Sequence, residues 1–371
     1  WITTGPKSKQ FEREIAAYCG TDTAVCLNSA TASLELTLRV LGIGPGDEVI
    51  VPAYTYTATA SPVCHVGATL VMVDSQPDCY EMDYAELEKA ITPRTKAIIP
   101  VDVGGILCDY TRIFSIVEDR RGDFSPASPL QAQLGRIAVI ADGAHSFGAV
   151  RGGIRSGAWA DFTTFSFHAV KNLTTAEGGA IMLNLPEPFD NEEVYRYLCT
   201  YTLHGQNKDA LAKTKKGAWR YDVLVSGFKG NIGLVELSRY EDDTLHYRKC
   251  IYDQYTDAFA RYGWAELPIY ETEDRKSSYH VYCLRVKGIT EQQRDEIIQR
   301  IFDKDVSVNV HFQPLPLLSA FKNKGYKIED YPVAYDNYCR EISLPVWYGL
   351  SEEMVKTVID AVICSVEEVL A

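Results

Sequence analysis

Ile137-Ala138-Val139-Ile140-Ala141-Asp142-Gly143-Ala144-His145, Asp161-Phe162-Thr163-Thr164-Phe165-Ser166-Phe167-His168-Ala169-Val170-Lys171 and Thr174-Thr175-Ala176-Glu177-Gly178-Gly179 are the three runs that decide how this chain folds. The first is an apolar strand with a carboxylate at its carboxyl end. In open α/β sheets that end faces the ligand crevice. The second is β-branched and aromatic, so it reads as a buried strand, with Lys171 following where the strand should have ended. Ser166, five residues earlier, has the reach to meet a phosphate oxygen. The glycines of the third run let backbone come close to other groups. Ala180-Ile181-Met182-Leu183 then reads as another strand.

An acid, an imidazole, a hydroxyl and a lysine are thus set around strand ends. Pyridoxal phosphate (PLP) requires that set: a lysine amine for a Schiff base and a carboxylate on its pyridinium nitrogen. Lys171 and Asp142 are the candidate catalytic groups. His145 is placed to lie against the ring or to hydrogen-bond its phenolic oxygen. The plainer alternatives are a solvated lysine at a strand end, an Asp that caps a turn and a His that only packs.

These segments resemble the DegT/DnrJ/EryC1/StrS aminotransferases, which act on nucleotide-linked keto-sugars. The run from Ser166 to Lys171 with Thr174-Thr175-Ala176-Glu177-Gly178-Gly179 is close to the lysine motif of that family, and the resemblance covers nearly the whole chain. It implies an α/β protein of PLP-dependent transferase fold type I. A large PLP-binding domain over 1–245, with a mostly parallel central sheet, would precede a smaller C-terminal α+β domain over 246–371. It implies an amino-acid donor, L-glutamate, that converts PLP to pyridoxamine phosphate (PMP), which then aminates a ketone of a nucleotide sugar. It also implies a homodimer with shared active sites. A PLP-dependent sugar dehydratase is disfavoured because such relatives carry His in place of the lysine. A catalytically silent regulator is disfavoured by intact Lys171 and Asp142.

Working outward toward the N-terminus, Ala24-Val25-Cys26-Leu27 is a short strand, and Asn28-Ser29-Ala30-Thr31 opens a helix through Leu34, Leu38 and Leu41. Asn28 or Ser29 can cap it, and amides at such a start bind anions. The family uses a similar Ser-Gly-Thr for the PLP phosphate, so Ala30 and Thr31 are expected there, with Ala30 standing for the Gly. The cluster Gly42-Ile43-Gly44-Pro45-Gly46 has neither the spacing nor the following helix of a dinucleotide fingerprint, which disfavours a nicotinamide dehydrogenase. Tyr54-Thr55-Tyr56 follows the strand Glu48–Pro52. The resemblance places Tyr56 against the PLP ring. Strands over 69–73 and 97–101 alternate with helices over 57–66 and 84–91, which argues a doubly wound sheet.

Toward the C-terminus, residues 119–134 read as an inserted surface loop with a short helix of its own. Gly227-Phe228-Lys229-Gly230-Asn231-Ile232 resembles a family segment whose Asn reaches the PLP of the other subunit, so Asn231 joins the cofactor-binding set. A long helix is expected from Asn231 to about Phe259. Ser277 to Tyr282 resembles a family strand. His311-Phe312-Gln313-Pro314-Leu315-Pro316-Leu317 resembles a segment with His at the place of Pro316.

Composition agrees with a soluble enzyme of two domains. The chain has 371 residues and is 46% hydrophobic. Its net charge of −13 disfavours a nucleic-acid surface. Ten scattered cysteines without a Cys-x-x-Cys pair give no support to a metal site and suit reduced thiols in the cytoplasm. No long apolar run suggests a membrane span.

Overall fold

Short apolar strands alternate with amphipathic helices to build a seven-stranded sheet. The computed structural model describes residues 5–202 and 230–371; expectations that fall on 203–229, or on the side chain of Asn231, lie outside the described residues. The strands of the first half are β1 (Thr23–Leu27), β2 (Glu48–Pro52), β3 (Thr69–Val73), β4 (Thr95–Ile98), β5 (Ala138–Asp142), the short pair β6 (Val150–Arg151) and β7 (Ile154–Arg155), β8 (Phe162–Ser166) and β9 (Gly179–Leu183). The large sheet runs β1-β9-β8-β5-β4-β2-β3. From β8 to β3 neighbours are parallel, and β9 is antiparallel to both β8 and β1.

Every residue of β2, β4, β5 and β9 is buried. In a sheet covered on both faces, consecutive residues of a central strand are buried alike. Local signals set the helix ends. Pro6 opens the helix Pro6–Cys19, and Gly20 closes it with φ 79°. The insertion folds as expected into a one-turn 3₁₀ segment, Arg121–Asp123, and a helix, Pro129–Leu134, capped by Ser128.

Two expectations change in detail. The long helix after Asn231 is broken into Gly230–Ser238, a π-helical turn Tyr240–Leu245 and His246–Phe259. Tyr240 is fully buried there and donates from its hydroxyl to the Phe147 carbonyl (2.6 Å), a demand that an unbroken α-helix need not satisfy. The strand expected at 277–282 begins only at Tyr282. The preceding residues bond to loops of the large sheet instead: Ser277 Oγ to the Gly104 carbonyl (3.2 Å) and the Ser278 amide to the Gly105 carbonyl (3.1 Å).

The later chain adds β10 (Ala265–Glu266), β11 (Arg275–Lys276), β12 (Tyr282–Val286) and β13 (Glu341–Leu344). β10, β12 and β13 form a second, antiparallel sheet, whereas β11 pairs with β6 of the first half. One apolar core joins both parts, with Phe147, Phe165 and Phe167 packed in the same cluster as Tyr252 and Tyr282. Among the described residues no helix is long and apolar enough to cross a membrane.

Candidate active site

Asp142 ends β5, the middle strand of the large sheet, and is 6% exposed. Burial alone would favour its neutral form and raises its pKa. Donors oppose this. Thr59 Oγ1 donates to Oδ2 (2.7 Å) and the Ala144 amide to Oδ1 (3.2 Å), while the charge of Lys171 adds support. Thr59 in turn shares a hydrogen bond with Thr55 (2.8 Å). The carboxylate is therefore held in place on the floor of the site with its charge partly stabilised.

The helix Ala30–Val40 starts beside this floor. Ser29 caps it by accepting from the Ala32 amide (3.2 Å). The amides of Ala30 and Thr31 belong to the first turn, where no intrahelical carbonyl is available. Strand register explains why Ser166 is close: Leu27 and Ser166 both stand opposite Gly179. Gly179 is needed as glycine. A Cβ there would lie 2.3 Å from the Ser29 carbonyl carbon and 2.6 Å from the Ala30 nitrogen. The approach packs the Glu177-Gly178 turn against the helix start and makes an anion cradle of amides and a hydroxyl.

Lys171 is half-buried in the turn after β8, its amide bonded to the His168 carbonyl (2.9 Å). Burial pulls its ammonium down to about 8, against the pull of the Asp142 carboxylate. Its amine is thus neutral far more often at pH 7 than that of an ordinary lysine.

His145 sits above the floor, 8% exposed. Its Nδ1 accepts from the Gly104 amide (3.3 Å), so Nε2 carries the proton. Burial first, then the charges of Lys171 and His311, push it well below the usual range, so it is a neutral donor. Gly105, at φ 82°, has no room for a Cβ because the Ser278 hydroxyl passes there to the His145 carbonyl. The His280 ring lies 4.3 Å from that of His145.

A cavity of about 360 Å³ brings these groups together: Ala30, Thr31, Tyr56, Asp142, His145, Ser166 and Lys171 all line it. Tyr56 stands at its open side, 59% exposed, with Phe312 5.7 Å away. Every expected site residue with a described side chain is therefore in one place. The donor set fits PLP: a buried carboxylate, a lysine of lowered pKa, a neutral imidazole, and helix-start amides with Ser166 for a phosphate.

Residues 1–363 match the model of the DegT/DnrJ/EryC1/StrS aminotransferase family. The chain belongs to that family. The enzyme is a PLP-dependent aminotransferase of fold type I. It is 36% identical over 376 residues to the spore coat polysaccharide biosynthesis protein SpsC of Bacillus subtilis, covering 98% of this chain and 90% of that protein. It is 31% identical over 371 residues to GDP-perosamine synthase of Caulobacter vibrioides, covering 100% of this chain and 92% of that protein. Among solved structures it is similar to Spr1654 of Streptococcus pneumoniae in its PMP form. That likeness has TM-score 0.93 and 48% identity, over 100% of this chain and 94% of the other.

Sequence reasoning missed part of the site wall. His311 lines the same cavity, and its Nδ1 lies 2.8 Å from Ser343 Oγ, which donates to Glu341 Oε1 (2.5 Å). Glu341 is fully buried, which pushes its carboxyl up to about 8, and its Oε2 also accepts from the His311 amide (2.9 Å). The one available signal was His311 itself, in a run that drew notice for Pro316. Pro316 is buried in a 3₁₀ turn, Leu315–Leu317.

Proposed function

We propose that the enzyme moves an amino group from L-glutamate to the keto group of a nucleotide-linked sugar. The observation that carries this reading is the single cavity in which Lys171 and Asp142 meet the Ser29–Thr31 helix start. The named relatives support the sugar as acceptor: one belongs to spore coat polysaccharide biosynthesis, one is GDP-perosamine synthase, and Spr1654 is assigned as a sugar aminotransferase. PLP, when bound, supplies the electron sink that lets a proton leave the carbon bearing the amine. Asp142 would hold negative charge for the ring nitrogen. Lys171 would hold the cofactor through Nζ and then serve as the base that moves the proton, a task suited to a pKa near the working pH. Ala30, Thr31 and Ser166 would take the phosphate, His145 would donate from Nε2, and Tyr56 would cover the ring.

We also propose a homodimer with shared sites, in which Asn231 of each chain serves the other. Exposed Tyr56, Val170 and Trp347, which line the site cavity and the chamber beside it, support an interface in this region, since neighbouring exposed apolar groups of this size are usually covered. A cytoplasmic location suits ten cysteines that are all free thiols.

The test is purified enzyme with L-glutamate and a panel of nucleotide keto-sugars, following 2-oxoglutarate. Wild type should turn over at least one of them. Lys171→Ala should be inactive, and borohydride should add cofactor mass to Lys171 in wild type alone. Adduct formation on another lysine would defeat the assignment.

A further inference from the structure

A second carboxylate, Asp102, lies behind the site. It is 1% exposed, and its neighbour Val101 both lines the cavity and pairs with Asp142. The Asp102 side chain reaches the two segments that fix His145. Oδ1 accepts from the Cys108 amide (3.0 Å) and the Tyr110 hydroxyl (2.9 Å). These bonds close the loop over 102–108, whose Gly104 amide donates to His145 Nδ1 (3.3 Å). Oδ2 accepts from the hydroxyl of Ser146 (2.8 Å), the residue after His145. The backbone repeats the tie: the Asp102 amide donates to the Asp142 carbonyl (3.2 Å), and the Asp102 carbonyl accepts from the Gly105 amide (3.0 Å).

A carboxylate in this place is costly. Burial pushes it up to about 7, the charge of Asp142 adds to the rise, and the three donors oppose it. An apolar side chain would avoid that cost but leave the three donors bare. What the donors have in common is His145: one set holds the loop that meets its ring, and the other holds the turn that carries it. We propose that Asp102 is a positioning residue that fixes the ring of His145, so that Nδ1 stays the acceptor and Nε2 the donor. The clamp survives protonation. A protonated Asp102 donates to Ser146 Oγ, which then donates to Ser156 Oγ, 2.7 Å away. The importance of this hold for the enzyme rests on the reading above, in which His145 serves the bound cofactor.

The measurement is solid-state nitrogen NMR of sedimented holoenzyme with isotope-labelled histidine, His145→Gln identifying the signals of His145. Wild type should show one neutral tautomer, protonated at Nε2. Asp102→Ala should show both tautomers. Asp102→Asn should restore the single one, because its amide oxygen accepts from the loop and its N–H meets Ser146 turned toward Ser156. The dissociation constant of PLP, followed by dialysis, is the second readout. Asp102→Ala should raise it about threefold to tenfold, as for loss of one hydrogen bond. In a chain already carrying His145→Gln the same change should add nothing, since residues that act through one contact are not additive. Should Asp102→Ala not fold, Ser146→Ala cuts only the Oδ2 arm and should give a weaker form of the same mixture. A single unchanged tautomer in the folded variant overturns the proposal, and so does full additivity with His145→Gln. A mixed tautomer in Asp102→Ala with PLP affinity unmoved in that variant and in His145→Gln would leave the hold on His145 standing and defeat only the reading of His145 as the cofactor's donor.

Discussion

Lys171 owes its chemistry to two opposed effects, and pH can separate them. Burial favours its neutral amine, and the Asp142 carboxylate favours its ammonium. Only the neutral amine is a nucleophile. In cofactor-free enzyme, acetylation of Lys171 by brief pulses of acetic anhydride should therefore rise with pH and level off above about 8. Surface lysines should keep rising toward about 10.4. Asp142→Asn removes the opposing charge, so the inflection should move down. Peptide mass spectrometry reads both curves. An inflection among those of the surface lysines, or an upward move in Asp142→Asn, would contradict this account.

The helix start and the strand that crosses it form one unit. Gly179→Ala forces a Cβ against the backbone of Ser29 and Ala30, which have no flexible end to move aside. It should cost about 1–3 kcal/mol in urea unfolding, as overpacking does. Gly263→Ala meets nothing within 4 Å and should stay within about 0.5 kcal/mol of wild type. Equal stability of the two variants would show that the helix start yields. The sequence made this unit legible because its signals are local: a strand, Ser29 as a cap and the glycines of 178–179. The floor was legible for the same reason, since Asp142 and Lys171 each follow a strand whose pattern is plain. The wall was not. His311 reaches Lys171 from far along the chain, and Glu341 and Ser343 look like ordinary strand residues until β13, which carries both, is packed against His311. The turn at Tyr240 escaped for a related reason: its cause is the Phe147 carbonyl, remote in sequence.

For the whole molecule, the proposed dimer makes each site depend on both chains. In a mixed dimer Lys171→Ala and Asn231→Ala fall in the same site and leave the other with both residues intact. Co-refolded chains should therefore regain up to about a quarter of wild-type activity, given a random two-fold assortment in which half the dimers are mixed. The measurement is turnover against mixing ratio, with heterodimers counted by native mass spectrometry and Asn231→Ala alone shown to be impaired. Heterodimers without regained activity, or a fully active monomer, would rule the shared site out.

The pairing of β11 with β6, and of His280 with His145, ties late residues to early ones. During synthesis the large sheet has all its strands once β9 has left the ribosome, well before His280 and His311 exist. At that stage Phe147 lacks the Tyr240 ring that packs against it (5.1 Å), and the core it shares with Phe165 and Phe167 lacks Tyr252 and Tyr282. A nascent chain paused there would display a sticky aromatic face beside a finished phosphate cradle. Slow decoding between 183 and 280 should thus raise its demand for chaperones, whereas the same delay after 344, with β13 made, should not.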